Sequence, residues 1–133
     1  MSLETSRVME VAEFREALRR FLRLSERVAR TSGLTPQRYL LLLMIKGASD
    51  GSEQSTVTEL ADRLQLAQST VTELVSRAEE AGLISREQSQ TDARVAHLRL
   101  TDEGERRLEH AFTALADERD NLRAAFSQHD SVL

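Results

Sequence analysis

Small hydrogen-bonding side chains stand at the start of a predicted helix near the middle of the chain. The stretch reads QSTVTELVSRAEEAGLISR and runs from Gln68 to Arg86. Its leading polar residues are Gln68, Ser69, Thr70 and Thr72. Solvated helix surfaces are usually built from long charged residues, which form helices better. Short donors and acceptors can instead approach base edges and phosphates in a major groove, where Thr methyl groups can contact thymine methyls.

Two simpler interpretations of these hydroxyls stay open. Ser and Thr at a helix start often cap it by accepting a backbone N–H, which would account for at least one of them. The others could be merely solvated. The positive end of the helix dipole at the same place also favours a phosphate.

Other chemistry finds no support in the sequence. The histidines, His97, His110 and His129, have no ligand-like spacing, and the chain has no cysteine. It also lacks a Gly-rich phosphate loop, an HExxH pair and a nucleophile arrangement. We therefore expect no enzymatic activity, no metal site and no cofactor.

The apolar pattern predicts that the polar groups lie on the second helix of a helix-turn-helix. The buried stripe of this helix consists of Val71, Leu74, Val75 and Ala78. Before it, TVTELADRL predicts a short helix capped by Thr58, and residues 65–67 suffice only for a turn. Gly82 supplies the C-cap of the second helix.

After Gly82 the apolar period changes from 3.6 to 2, which predicts strands. LISRE and VAHLRL form two short strands, and QSQTDAR between them is polar enough for a hairpin tip. A helix-turn-helix followed directly by a hairpin is a winged helix.

Four charged residues of this unit are candidate contacts to a polyanion: Arg77, Arg86, Asp92 and Arg94. Arg77 lies on the outer face of the helix, where phosphate contact and plain solvation are both open. Arg86 could pair with Glu87, with Asp92 or with a phosphate. Asp92 could hold Arg94 or simply form the turn through its own backbone. Arg94 could be a solvated hairpin charge.

Two long amphipathic helices flank the winged helix, which spans residues 35–100. The first helix of this unit begins with Thr35 as N-cap and Pro36 at the first helical position. The first long helix covers residues 7–31, and the last covers 101–127, with Thr101 as N-cap and Arg119 interrupting its apolar seam. The candidate dimerisation residues on these seams are Val11, Phe14, Leu18, Phe21, Leu108, Phe112, Leu115, Leu122 and Phe126. Seams this apolar usually mark an interface, so we expect a homodimer.

The sequence thus predicts a mainly α fold with a small β-hairpin wing, a winged helix-turn-helix flanked by long N- and C-terminal dimerisation helices in one domain, residues 1–133. The charged share of 30% and the hydrophobic share of 40% fit a globular protein. The sequence contains no run of about 18 apolar residues, so it predicts no membrane span. No signal peptide is evident either, and we therefore expect a cytoplasmic location. The net charge of −4 does not exclude nucleic acid, because binding responds to the field on one face.

The ordered pieces of the chain resemble the MarR family of bacterial transcription regulators. They are LTPQRYLLLLMI, ELADRLQLAQSTVTELVSRAEEAGLISR, the DAR of the wing and LRLTDEG, and they cover about residues 14–115. The resemblance implies a homodimeric repressor or activator that binds double-stranded DNA at a pseudo-palindromic operator. Such regulators are often released by a small, frequently aromatic ligand.

In that family pattern the residues matching 68–72 face the major groove. Arg94 matches the position that reaches the minor groove from the wing tip, and Asp92 matches the one that helps to hold it. The chain departs from the pattern at Glu73, where many members have a basic residue, and at its C-terminus, which is too short for a full further helix.

A winged helix that docks a protein partner without binding DNA is the alternative. Protein interfaces favour Trp, Tyr and Arg anchors, which a hydroxyl-lined helix does not offer. Salt dependence distinguishes the two, because DNA binding releases counterions and an apolar protein interface does not.

Overall fold

The computed structural model describes residues 2–128, so His129 of the three histidines lies outside the described residues. In chain order the elements are α1 (Thr5–Thr31), α2 (Pro36–Lys46), α3 (Val57–Leu64), α4 (Gln68–Glu80), β1 (Ile84–Gln88), β2 (Ala96–Leu100), α5 (Asp102–Ala114) and α6 (Ala116–Gln128). The predicted fold class, a mainly helical winged helix with one small hairpin, is confirmed. None of the described helices combines the length and the apolar character needed to cross a bilayer.

One hydrophobic core joins the helices of the winged helix to the hairpin and to α5. Its largest fully buried side chains are Leu41, Leu42, Ile45, Leu60, Leu83, Leu98, Leu115, Val71 and Val75. Because α2, α3, α4 and the hairpin all contribute to this cluster, the wing is packed against the helices rather than merely tethered to them.

Local capping signals explain where the short helices begin. Thr35 caps α2 as predicted, its hydroxyl oxygen accepting the Arg38 N–H at 3.1 Å. For α3 the predicted cap, Thr58, is wrong, since α3 starts after Thr56. Thr56 accepts the Glu59 N–H at 3.2 Å, and the Glu59 carboxylate accepts the Thr56 N–H at 2.9 Å. This reciprocal pair satisfies two free donors at once, which makes Thr56 the better cap.

The predicted single helix over residues 101–127 is two helices that meet at Leu115. Leu115 is fully buried and belongs to the core of the winged helix. The helical backbone is interrupted at Leu115, whose φ and ψ are −97° and 5°. Thr101 does cap the first part, accepting the Gly104 N–H at 3.1 Å.

The hairpin is antiparallel and carries a third, short pairing at its edge. Arg86 pairs with Leu98 in the β1–β2 register. Leu98 also forms an isolated bridge to Ser55, in which its N–H donates to the Ser55 carbonyl at 2.8 Å. The segment before α3 thus attaches to the wing.

Gly104 allows α5 to approach the start of the wing closely. A Cβ added at this position would lie 2.1 Å from the Leu83 carbonyl oxygen. Since that oxygen is backbone and accepts the Thr101 N–H at 3.0 Å, it cannot swing aside as a side chain could. Gly104 is therefore required by packing against the backbone.

We expect Gly104→Ala to lower the free energy of unfolding by about 1–3 kcal/mol, the usual cost of overpacking. In an unobstructed helix the same change stabilises by about 0.5–1 kcal/mol, so the sign itself is diagnostic. Urea unfolding followed by circular dichroism measures it, with Glu109→Ala, at an exposed position of α5, as the control. A Gly104→Ala protein as stable as the parent would contradict the close approach.

Candidate nucleic-acid interface

A tight turn orients α4 relative to α3. Gln65 adopts the left-handed conformation with φ 55°, and its side-chain amide donates to the Asp62 carbonyl at 2.6 Å. The Leu66 N–H donates to the Ala61 carbonyl at 3.1 Å. These bonds end α3 and lead directly into α4, which gives the helix-turn-helix predicted from the sequence.

The polar side chains at the start of α4 are exposed. Ala67 precedes the helix and provides no side-chain cap. The hydroxyls of Ser69, Thr70 and Thr72 form no hydrogen bond within residues 2–128, and all three side chains are exposed, as is Gln68. N-capping therefore does not account for these hydroxyls. They are available to another molecule, beside the positive end of the helix dipole.

The wing tip holds an arginine in place through the aspartate two residues before it. The Arg94 Nε donates to Asp92 Oδ1 at 3.2 Å, and its Nη2 donates to Oδ2 at 3.4 Å. The Arg94 backbone N–H also donates to Oδ1 at 3.0 Å. Both interpretations of Asp92 thus hold, because one carboxylate forms the turn and orients the guanidinium. Its hydrogen bonds with Arg94 lower the pKa of Asp92, so the pair is charged at neutral pH.

Arg94 points into solvent despite this pairing. Its side chain is 90% exposed, against 41% for Asp92. An exposed ion pair contributes little to folding. The arrangement therefore presents a cation at the tip of the wing without making the fold depend on it.

The other two candidate arginines are engaged by acids of α4. Arg77 Nη2 donates to Glu73 Oε1 at 2.6 Å across one helical turn. Arg86 pairs with Glu79 at 2.7 Å, rather than with Glu87 or Asp92 as the sequence allowed. This bond raises the pKa of Arg86 and ties β1 to α4. Both side chains are less exposed than that of Arg94, at 63% for Arg77 and 41% for Arg86 against 90%.

The nine candidate dimerisation residues separate by burial within the chain. Those already in its core are Phe14, Leu108 and Leu115. The half-buried ones are Leu18, Phe21 and Leu122. The exposed ones are Val11, Phe112 and Phe126. The core already buries the first group within one chain, whereas the other six keep apolar surface that a second chain could cover.

An apolar pocket of about 290 Å³ lies between α1, α2 and the junction of α5 with α6. Its wall includes Phe21, Tyr39, Leu40 and Phe112. The Arg119 guanidinium carbon stacks 3.8 Å from the centre of the Phe112 ring. Burial raises the pKa of Tyr39, partly opposed by the charge of Arg119, so its phenol is neutral at pH 7.

Arg119, which lines this pocket, has one buried nitrogen, Nη1, without a hydrogen-bond partner among the described residues. Leaving a charged donor unsatisfied costs free energy. From the sequence, Arg119 was interpreted only as an interruption of a seam. Arg119 follows Phe112 by seven residues, which puts both side chains on one helical face. This spacing could have indicated their contact.

The family model of the MarR family matches residues 32–95, which run from the end of α1 to the wing tip. The helix-turn-helix and the wing of this chain belong to the MarR family. The match covers the helix-turn-helix and the Asp92–Arg94 pair. A search of curated protein sequences gave no match.

Solved structures of MarR family proteins share the fold over nearly the whole chain. AbsC, a MarR family transcriptional regulator from Streptomyces coelicolor, is 18% identical with a TM-score of 0.76, covering 99% of this chain and 93% of its own. A MarR family protein from Bacillus stearothermophilus is 23% identical with a TM-score of 0.73, covering 94% and 83%. A mutant of MarR from E. coli, solved in complex with operator DNA, is 19% identical with a TM-score of 0.68, covering 92% and 85%.

We expect Arg94→Ala to weaken binding to double-stranded DNA and to reduce its salt slope by about one unit, as the removal of one phosphate or minor-groove cation should. Because the side chain is 90% exposed, the melting temperature should stay the same. Titrations at several salt concentrations measure the slope, and thermal unfolding measures the melting temperature.

Arg123→Ala is the matched control. Arg123 is also highly exposed and has its own aspartate, Asp120 at 2.9 Å, but lies on α6. An unchanged slope for Arg94→Ala, or an equal effect of Arg123→Ala, would rule out a specific contact by the wing.

Proposed function

We propose that this protein is a homodimeric repressor that binds double-stranded DNA through α4 and the wing, and that a small aromatic ligand releases it. The free, exposed hydroxyls at the start of α4 carry the proposal. They stand on the same winged helix as Arg94, which Asp92 orients. The similarity to a MarR structure in complex with operator DNA adds support from the fold.

Each part of the interface has a different task in this proposal. The start of α4 enters the major groove, where Gln68, Ser69, Thr70 and Thr72 meet base edges and the backbone. Arg94 reaches the minor groove from the wing. Arg77 and Arg86 contribute less, because both are less exposed than Arg94.

We expect changes at Thr70 and Thr72 to alter preference among DNA sequences by roughly 1–3 kcal/mol for each base contact that the change removes. Thr→Val removes the hydroxyl and keeps the branched shape, whereas Thr→Ser keeps the hydroxyl and removes the methyl that could contact thymine. Affinities for a set of duplex variants measure the effect. The control is Thr113→Val, at an exposed position on α5. An equal weakening on every sequence would mean that these residues contact only the DNA backbone.

The proposed dimer uses the flanking helices. Val11, Phe112 and Phe126 are 37%, 46% and 51% exposed, a large apolar surface for a single chain. Opposite charge adds complementarity, since residues 7–30 hold seven Arg and four Glu while residues 101–126 hold seven acids and four Arg. A two-fold dimer would set two copies of α4 about one helical turn of DNA apart, which requires a pseudo-palindromic site.

We expect Val11→Glu to shift the protein from dimer to monomer, because it buries a charge in the proposed interface. Met9→Glu is the control, since residues two apart lie on nearly opposite faces of a helix and Met9 is 58% exposed. Analytical ultracentrifugation at micromolar concentration distinguishes the states. A parent protein that is already monomeric, or a Val11→Glu protein that stays dimeric, would count against this interface.

The pocket beside Arg119 is the proposed ligand site. Its aromatic walls suit a planar ring, and the positive charge of Arg119 favours an anionic one, against the Glu26 carboxylate that also lines the pocket. Because the pocket borders both α1 and α2, a ligand there would act on the joint between the flanking helices and the winged helix. A ligand that binds more tightly to an arrangement of this joint that cannot bind DNA would shift the protein towards that arrangement. The DNA would then be released.

We expect benzoate to raise the melting temperature and to weaken DNA binding, whereas benzamide, its neutral analogue, should do neither. Arg119→Met keeps the approximate length of the side chain and removes the charge, so it should abolish the difference between the two compounds. Thermal shift and DNA titration measure these effects. Equal responses to benzoate and benzamide would contradict an anion-binding role for Arg119.

A further inference from the structure

A carboxylate lies at the centre of the exposed face of α4. Val71, Val75 and Ala78 are fully buried on one side of this helix. At about 100° per residue, the line directly opposite runs through Ser69, Glu73, Ser76 and Glu80. All four of these residues are exposed. Glu73 is therefore among the residues that face away from the core most directly, and it follows Ser69 by one helical turn.

A carboxylate in a DNA groove is unfavourable unless a hydrogen bond compensates for the phosphate charge around it. In the major groove the base-edge donors are the amino groups of cytosine and adenine. Adenine presents its N7 acceptor beside the amino group, which would repel a carboxylate, whereas cytosine presents the donor alone. Of the four bases, cytosine is thus the one that a carboxylate on this face fits.

The surrounding contacts leave the carboxylate able to make that bond. Arg77 Nη2 binds Glu73 Oε1 at 2.6 Å. A carboxylate has about four acceptor sites, so this bond leaves Oε2 able to accept another. Both side chains are accessible, Glu73 at 65% and Arg77 at 63%. The guanidinium fixes the carboxylate and offsets part of its charge.

We propose that Glu73 reads a cytosine in each half of the DNA site, accepting a hydrogen bond from its amino group, and that Arg77 is the positioning residue for this carboxylate. The inference rests on the proposed function, DNA binding through α4. The plainer role of an i, i+4 pair is slight stabilisation of an isolated helix. That role predicts no effect on base preference, so the two are separable.

Selection from a randomised library of DNA duplexes by the full chain provides the test. The parent should enrich a sequence with a G·C pair at one fixed position in each half. Glu73→Gln should shift that position towards adenine, because Gln pairs with adenine in the major groove. The preference for cytosine over adenine there should fall by about 10-fold or more, within the range for one base contact. Glu80→Gln is the control, since it removes the same charge from the same face further along α4 and should keep the parent's sequence.

The positioning role of Arg77 must be tested by a measurement that a change in helix stability alone would not affect. Arg77→Ala should weaken the discrimination at the same G·C pair, and Arg77→Lys should restore most of it. If Glu73→Gln selects the parent's sequence, merely more tightly, Glu73 only repels DNA and the inference is overturned while the proposed function stands. If the parent enriches no sequence, the proposed function fails and this inference fails with it.

Discussion

Burial of one apolar stripe on α4 decides which side chains of that helix can meet another molecule. Val71, Val75 and Ala78 are fully buried in one cluster with Leu83 and Leu98 of the hairpin region. Because residues three or four apart share a helical face, fixing this stripe turns the hydroxyls outward. The same cluster anchors the wing. Apolar contacts outside the proposed interface therefore set the geometry between the start of α4 and the wing.

Most of the fold could be predicted because its signals are local. The helical stripe, the caps at Thr35 and Thr101 and the change to a two-residue period all lie within short windows of sequence. The capping box of Thr56 with Glu59 was equally local and was overlooked in favour of Thr58. The break at Leu115 and the bridge from Ser55 to the wing depend on distant contacts, which no short window contains.

The ion pairs of the candidate interface also differ in whether a short stretch of sequence predicts them. The pairs Asp92–Arg94 and Glu73–Arg77 follow from spacings of two and four residues, and the first was anticipated. The pairing of Arg86 with Glu79 requires the wing to fold back on α4, so the sequence alone left its partner open. Because Arg77 and Arg86 are less exposed than Arg94, a larger share of the proposed DNA contacts falls to Arg94 and to the uncharged groups of α4.

The salt dependence of DNA affinity tests the central claim most directly. Fluorescence anisotropy of a labelled duplex, titrated with the full chain between about 50 and 200 mM salt, measures it. Binding through several phosphates predicts a straight log–log plot with a slope of about −0.9 for each phosphate neutralised. No binding at the lowest salt, or an affinity that salt does not change, would contradict DNA recognition and favour a winged helix that docks a protein.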